Sequence, residues 1–154
     1  MFRDVLLIDR DVFLTMANKF YSSSAVSELS PCFDPKNFEA TFTLAIEKSP
    51  YVRILMIENE EMPVGFAQLS FTFSMEVGGM VVLIDDVYID EKHRGHGYGK
   101  KLLAFLEKEH PTCKRFRLDV LRENRGAINL FEQSGYRLFD YMQMVKDSKK
   151  SCSE

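Results

Sequence analysis

The sequence predicts one mixed α/β domain. Apolar runs of strand length alternate with amphipathic stretches of helical period in the order β-α-α-β-β-β-α-β-α-β, and neither a linker nor an internal repeat divides them. A chain of 154 residues that is 45% hydrophobic and 28% charged is long enough and apolar enough to bury a core. The expected organisation is one domain over residues 1–146 and a polar tail over 147–154.

Each element has a local reason. Residues 2–8 are short and β-compatible; Asp9 or Asp11 is then placed to cap a helix whose stripe is Val12, Phe13, Met16, Ala17, Phe20 and Tyr21. The Ser-rich stretch from Ser22 to Pro31 breaks that helix, and Asp34-Pro35 starts another, with Phe38, Phe42, Ala45 and Ile46 on one face and Pro50 at its close. Val52 to Ile57 reads as a strand, Asn59-Glu60-Glu61 as a turn, and Val64 to Phe73 as the partner strand, alternating in both faces. Gly78-Gly79 turns the chain into a nearly continuous apolar strand from Met80 to Ile89, interrupted only by Asp85 and Asp86. After a glycine loop come a helix carrying Leu102, Leu103, Phe105 and Leu106, a strand from Phe116 to Leu121, and a helix capped by Asn124 and ended by Gly135. Tyr136 to Met144 is expected to be the last strand or strand pair.

Composition excludes several functions. The longest near-uninterrupted apolar stretch, Val77 to Ile84, is far below the roughly 20 residues of a membrane span, and the first eight residues lack the pattern of a secretory signal. The expected location is therefore cytoplasmic, away from membranes. Cys32, Cys113 and Cys152 are odd in number, with no CxxC pair and no histidine at zinc spacing, so neither a disulfide framework nor a metal is expected. A net charge of −3 argues against a nucleic-acid partner, but residues 91–101 and 114–125 each sum to +3. Two local basic stretches on an acidic chain point to one particular anionic ligand.

The strand, glycine loop and helix from Met80 to His110 supply a place for that anion. Gly95, Gly97 and Gly99 let backbone N–H groups approach a ligand, and the next helix offers free N–H groups and the positive end of its dipole. Lys100 and Lys101 in the first helical turn oppose that dipole unless a phosphate lies there. No hydroxyl follows Lys100, as nucleoside triphosphate hydrolysis requires, and the GxGxG spacing misses the dinucleotide fingerprint by one residue.

Arg94-Gly95-His96-Gly97-Tyr98-Gly99 resembles the Arg/Gln-x-x-Gly-x-Gly/Ala signature of the GNAT acyl-CoA N-acyltransferases. Leu83 to Ile89 is similar to that family's bulged central strand, and Leu118 to Tyr136 to its closing block. The resemblance is strong over about residues 52–146 and implies a GNAT-like fold, a mostly antiparallel central sheet with helices on both faces. It implies acetyl-CoA as co-substrate and no metal, the signature residues Arg94, Gly95, His96, Gly97, Tyr98, Gly99 and Lys100 cradling the pyrophosphate. Val87 and Ile89 would hydrogen-bond the pantetheine arm and polarise the thioester, and Asn124 would contact the coenzyme, besides serving as a helix cap.

Within the family, Ile84-Asp85-Asp86-Val87 is similar to the Leu-Glu-Asp pattern of diamine-type acetyltransferases, which makes Asp85 the expected proton relay and Asp86 the alternative. Adjacent strand residues point to opposite faces, so one acid should face the acceptor cleft and the other the core or cofactor. The family's thiolate-protonating tyrosine is matched by Phe131, which lines the coenzyme site in this reading without donating a proton; Tyr88, Tyr136 and Tyr141 stay open as donors, as does solvent. The implied activity is acetyl transfer from acetyl-CoA to a primary amine of a small molecule, with the acceptor held by Ser22 to Phe33, the second helix and the final strands. Two other readings remain open here: a protein lysine or N-terminal acetyltransferase, and a non-catalytic acyl-CoA-binding module. A homodimer is compatible with either.

Overall fold

A computed structural model describes residues 1–23 and 34–146. Five strands form one sheet in chain order: β1 (Phe2–Asp4), β2 (Val52–Asn59), β3 (Met62–Ser74), β4 (Gly79–Ile89) and β5 (Arg115–Leu118). The first four pair antiparallel and β5 runs parallel to β4. Four helices complete the described residues, α1 (Arg10–Tyr21), α2 (Lys36–Ile46), α3 (Tyr98–Glu109) and α4 (Arg125–Gln133), with short 3-10 turns before α1 and α3.

Two apolar clusters show why the sheet is covered on both faces. Phe66 of β3 and Tyr88 of β4 pack with Phe13, Met16, Phe38 and Phe42 of α1 and α2, whereas Ala67 and Leu69 of β3 pack with Leu102, Leu103 and Leu106 of α3. From Phe66 onward the period-2 alternation of β3 sends Phe66 to one cluster and Ala67 and Leu69 to the other, while Val64, at the irregularity in the β2–β3 pairing, joins the α3 side. The β2–β3 hairpin closes through Glu60 and Glu61, both at positive φ (48° and 66°), the geometry of a two-residue turn whose twist matches the strands.

The N-terminus is pinned by charge. The Arg3 guanidinium binds the carboxylates of Asp9 (2.6 Å) and Glu58 (2.8 Å), which are almost completely buried. Asp9 stands at the start of α1 but does not cap it: its carboxylate is taken by Arg3 and by the Leu6 amide. Asp34 does cap α2, accepting from the Lys36 amide at 2.9 Å.

The strand expected over Tyr136 to Met144 does not form. Residues 137–146 add no rung to the sheet and are exposed, Met142 and Met144 almost fully. Their apolar residues come in adjacent couples, Leu138-Phe139, Tyr141-Met142 and Met144-Val145, so no single strand face would bury them. Among the described residues, side chains tie the segment to the body: Phe139 lies against the guanidinium of Arg115, 5.0 Å from it, and Gln143 donates to Asp119. The acceptor-binding role expected of final strands has no strand to rest on. Most of the Ser22–Phe33 stretch and the tail over 147–154 lie outside the described residues.

Candidate active site

The sheet opens at one place. Parallel pairing of β4 with β5 runs from Val81↔Arg115 to Ile84↔Leu118 and stops, while β4 continues to Ile89. Pairing of β4 with β3 continues to Ile89↔Gly65, and the Asp90 amide still donates to the Val64 carbonyl (2.8 Å). By strand alternation, Val87 and Ile89 therefore turn their backbone groups away from β3, into the gap where β5 is missing. The Ile89 carbonyl accepts from Arg94 Nε (2.9 Å), which folds the loop back against the end of the strand.

That loop presents an uncapped helix start. Gly97 is the N-cap of α3, at φ 77°, and no side chain caps the helix; the first intrahelical bond runs from the Lys101 amide to the Gly97 carbonyl. The N–H groups of Tyr98, Gly99 and Lys100 consequently point out of the helix end unpaired by it. Gly95 is also left-handed (φ 78°), and a Cβ on either glycine would meet nothing within 4 Å, so the space over the loop is open. His96 turns its Nδ1 to the carbonyls of His93 and Arg94 and so shapes the loop instead of facing a ligand through that atom. Lys100 is exposed, and Lys101 stands 5.7 Å from the centre of the Tyr98 ring. An anion of pyrophosphate size fits this combination of free amides, open volume and cations.

α4 forms the other wall. Leu130 of α4 reaches within 2.7 Å of where a Cβ on Gly99 would be, so the first turn of α3 packs directly on α4. Asn124 caps α4, its Oδ1 accepting from the Ala127 amide (3.1 Å). Phe131 is half-buried on the α3 face beside Tyr136, ring centres 5.8 Å apart. The Tyr136 hydroxyl is buried without a partner, and burial together with Glu107 and Cys113 pushes its pKa up to about 12. Cys113, whose charge is felt at this hydroxyl, donates towards the Met80 carbonyl at the start of β4. Tyr141 is exposed on the C-terminal segment.

A bulge brings the two acids together. Gln68 pairs with Asp86 but its neighbour Leu69 pairs with Ile84, leaving Asp85 as an extra residue of β4. Ile84 and Val87 both pack on the α3 face, and the two acids between them face α1 and α2: Asp85 accepts from Gln68 (2.8 Å) and from the Ser70 hydroxyl, and Asp86 accepts from the Tyr21 hydroxyl (2.8 Å). The expectation that they point to opposite faces fails because a bulge inserts one residue into the alternation.

Their environments nevertheless differ. Asp85 is exposed, whereas burial and the neighbouring Asp85 charge raise the Asp86 pKa against the opposing hydrogen bond from Tyr21. The Tyr21 hydroxyl is pushed well above its ordinary range by burial and by both carboxylates. Beside Asp86 lies a cavity of about 210 Å³ between the helices and the sheet. Phe13 and Tyr21 of α1, Phe38, Asn37 and Thr41 of α2, and Phe66 and Gln68 of β3 form its walls. Tyr21, Gln68 and Ser70 escape sequence reasoning: Tyr21 reads as one more apolar position of a helix stripe, and only the register of the bulge selects the other two.

Relatives share this arrangement of chain. A possible acetyltransferase from Clostridium difficile 630 superposes with TM-score 0.80 at 16% identity, over 96% of this chain and 97% of its own. The structure of AAC(6')-Iy in complex with a CoA-S-monomethyl-acetylneamine bisubstrate analogue superposes with TM-score 0.76 at 12% identity, over 96% and 97%. In sequence, spermine/spermidine N(1)-acetyltransferase of Bacillus subtilis (strain 168) is 37% identical over 59 residues, 36% of this chain and 39% of that protein. Thialysine N-epsilon-acetyltransferase of Mus musculus is 34% identical over 74 residues, 47% of this chain and 43% of its own. The chain thus spans less than half the length of these curated relatives. The family model for the acetyltransferase (GNAT) family matches residues 17–136, which include the bulge, the opened strand edge and the glycine loop: the chain belongs to the GNAT family.

Proposed function

We propose that the protein transfers the acetyl group of acetyl-CoA to the primary amine of a small molecule. The observation that carries this reading is the free edge of β4 beyond Ile84, which lies between an uncapped helix start and a pair of carboxylates. In this reading the pyrophosphate sits on the amides of Tyr98, Gly99 and Lys100, with Arg94 and Lys100 supplying charge and Asn124 approaching from the α4 wall. The pantetheine arm takes the place of the missing part of β5 along Val87 and Ile89. A backbone N–H of that edge holds the thioester oxygen as negative charge develops on it.

In the same reading the two acids do different work. Asp86 lines the cavity and draws the incoming ammonium; Asp85, exposed and hydrogen-bonded by Gln68 and Ser70, accepts the proton and passes it to solvent. The freed amine nitrogen attacks the thioester carbon, the C–S bond breaks, and coenzyme A leaves as a thiolate that takes a proton from water. Phe131, at the position of the family's tyrosine, cannot donate one. Relatives named for spermine, spermidine and thialysine act on small amines by those names, which supports a small acceptor over a protein. Thiol release from acetyl-CoA, followed with and without a panel of amines, tests the reading. Amine-dependent release of one thiol per acetamide formed is expected, and tight coenzyme binding with no release from any amine overturns it.

A further inference from the structure

The bulge in β4 leaves Asp85 without a Cα partner on β3, since Gln68 pairs with Asp86 and Leu69 with Ile84. Side chains supply what the ladder does not. Gln68 and Ser70 are two positions apart on β3 and share one face of it. Both reach the bulged residue: Gln68 Nε2 donates to Asp85 Oδ2 (2.8 Å), and the Ser70 hydroxyl donates to the same oxygen. A bond from Gln68 Nε2 to Ser70 Oγ (3.2 Å) closes the triangle. Each donor in it has one direction. The two hydrogens of the Gln68 amide go to Asp85 and to Ser70, and Ser70, which accepts from Gln68, turns its single hydrogen to the carboxylate. The reverse amide orientation would set the Gln68 carbonyl oxygen against a carboxylate oxygen, so amide and carboxylate fix one another.

We infer that Ser70 and Gln68 are positioning residues for the proton transfer: they hold Asp85 by Oδ2 and thereby present Oδ1 to the amine. This rests on the transferase reading above and deepens it. Among the described residues, both hydrogen bonds of Asp85 fall on Oδ2. Asp85 is exposed, and an exposed aspartate without such a clamp turns among its rotamers, whereas a base has to lie within about 2.6–3.2 Å of the group whose proton it takes. Gln68 also lines the cavity with Asp86, which places the clamp where the amine arrives. Asp86 is held separately, from the helix side, by Tyr21. The proton passes from the ammonium to Oδ1, the nitrogen keeps the electron pair with which it attacks the thioester, and the protonated carboxyl gives the proton up to water. A clamp on β3 thus serves a base on β4.

The test is a double-mutant comparison read by single-turnover thiol release from protein loaded with acetyl-CoA. The acceptor is whichever amine, from a panel that includes spermidine and thialysine, the unaltered protein acetylates fastest. Ser70→Ala is expected to lower the rate about tenfold, the scale of one hydrogen bond to a charged group, while half-saturating amine and coenzyme affinity stay within about twofold. Ser70→Thr returns a hydroxyl and is expected to recover most of the loss. Gln68→Met keeps the length of the side chain without its donors and is expected to lower the rate at least as much. On an Asp85→Asn background neither Ser70→Ala nor Gln68→Met should cost more than about twofold, because the group they position is gone. A further tenfold loss on that background, no loss from either substitution while Asp85 is present, or an Asp85→Asn variant as fast as the unaltered protein overturns this inference and leaves the transferase reading standing. Absence of amine-dependent thiol release in unaltered protein that binds coenzyme A overturns both.

Discussion

The Tyr21 hydroxyl donates to Asp86, while Gln68 and Ser70 hold Asp85, so replacing either acid by its amide tests a separate step. Asp85→Asn is expected to lower kcat by roughly two to four orders of magnitude, the usual worth of a positioned base, with coenzyme affinity unchanged. Rising pH should restore part of the loss, since an amine of pKa about 10 then arrives already deprotonated. Asp86→Asn is expected to raise KM for the amine more than it lowers kcat; the reverse split would exchange the two roles. Asp86 also makes a stability prediction. Its folded pKa lies above its unfolded value, so ionisation costs nothing below the unfolded pKa, costs progressively more as pH rises from there, and costs in full above the folded pKa. Asp86→Asn should therefore raise Tm at pH 7, and the gain should fade as pH drops from the raised folded pKa to the unfolded one, which thermal melts at a series of pH values will show.

Elements owe their positions to a few polar contacts as well as to the core. The 3-10 turn before α1 is fastened to β1 by Arg3 and Asp9, a pair that holds the Asp9 carboxyl below the usual carboxylate range. Asp9→Asn is expected to cost about 1–3 kcal/mol at pH 7 by leaving buried donors unmatched. Here the sign is opposite to Asp86: the stabilisation is complete above the unfolded carboxylate pKa and is lost as pH falls through the lowered folded value. In the loop before α3, Gly97→Ala forces a side chain into the left-handed region at φ 77°, costing about 1–2 kcal/mol, and coenzyme affinity by calorimetry should fall with it. Period and punctuation made most elements legible in the sequence, as in the β3 alternation, Asp34-Pro35 before α2, and the glycine loop after β4. The bulge entered the sequence reading only through the family resemblance of Leu83 to Ile89; from the residues alone Asp85-Asp86 reads as two ordinary strand positions until β3 is laid beside it, so its effect on where the two acids face was not legible. The missing last strand was misread for the opposite reason, since apolar residues were present but paired in sequence instead of alternating.

Across the whole molecule, charge is distributed against the net value. The chain carries −3 overall, yet Arg94, Lys100 and Lys101 surround an open backbone cradle. Neutralising these three should weaken coenzyme A binding and flatten its dependence on salt, whereas neutralising Lys48 and Lys146, both exposed and outside the site, should change neither. Equal effects from the two sets would mean a diffuse field in place of a site.

The gap between β4 and β5 also means that the free protein is one rung short of a finished sheet. Among the described residues, the amides at Val87 and Ile89 have no partner strand beyond Ile84, so they should exchange with solvent deuterium far faster than those of Ile54 to Ile57 in β2, which is bonded on both sides. Coenzyme A, laid along that edge, would serve as a non-peptide strand. Its arrival should slow exchange at Val87 and Ile89 selectively and, at about 100 times its Kd, add about 2.7 kcal/mol to the stability of the fold.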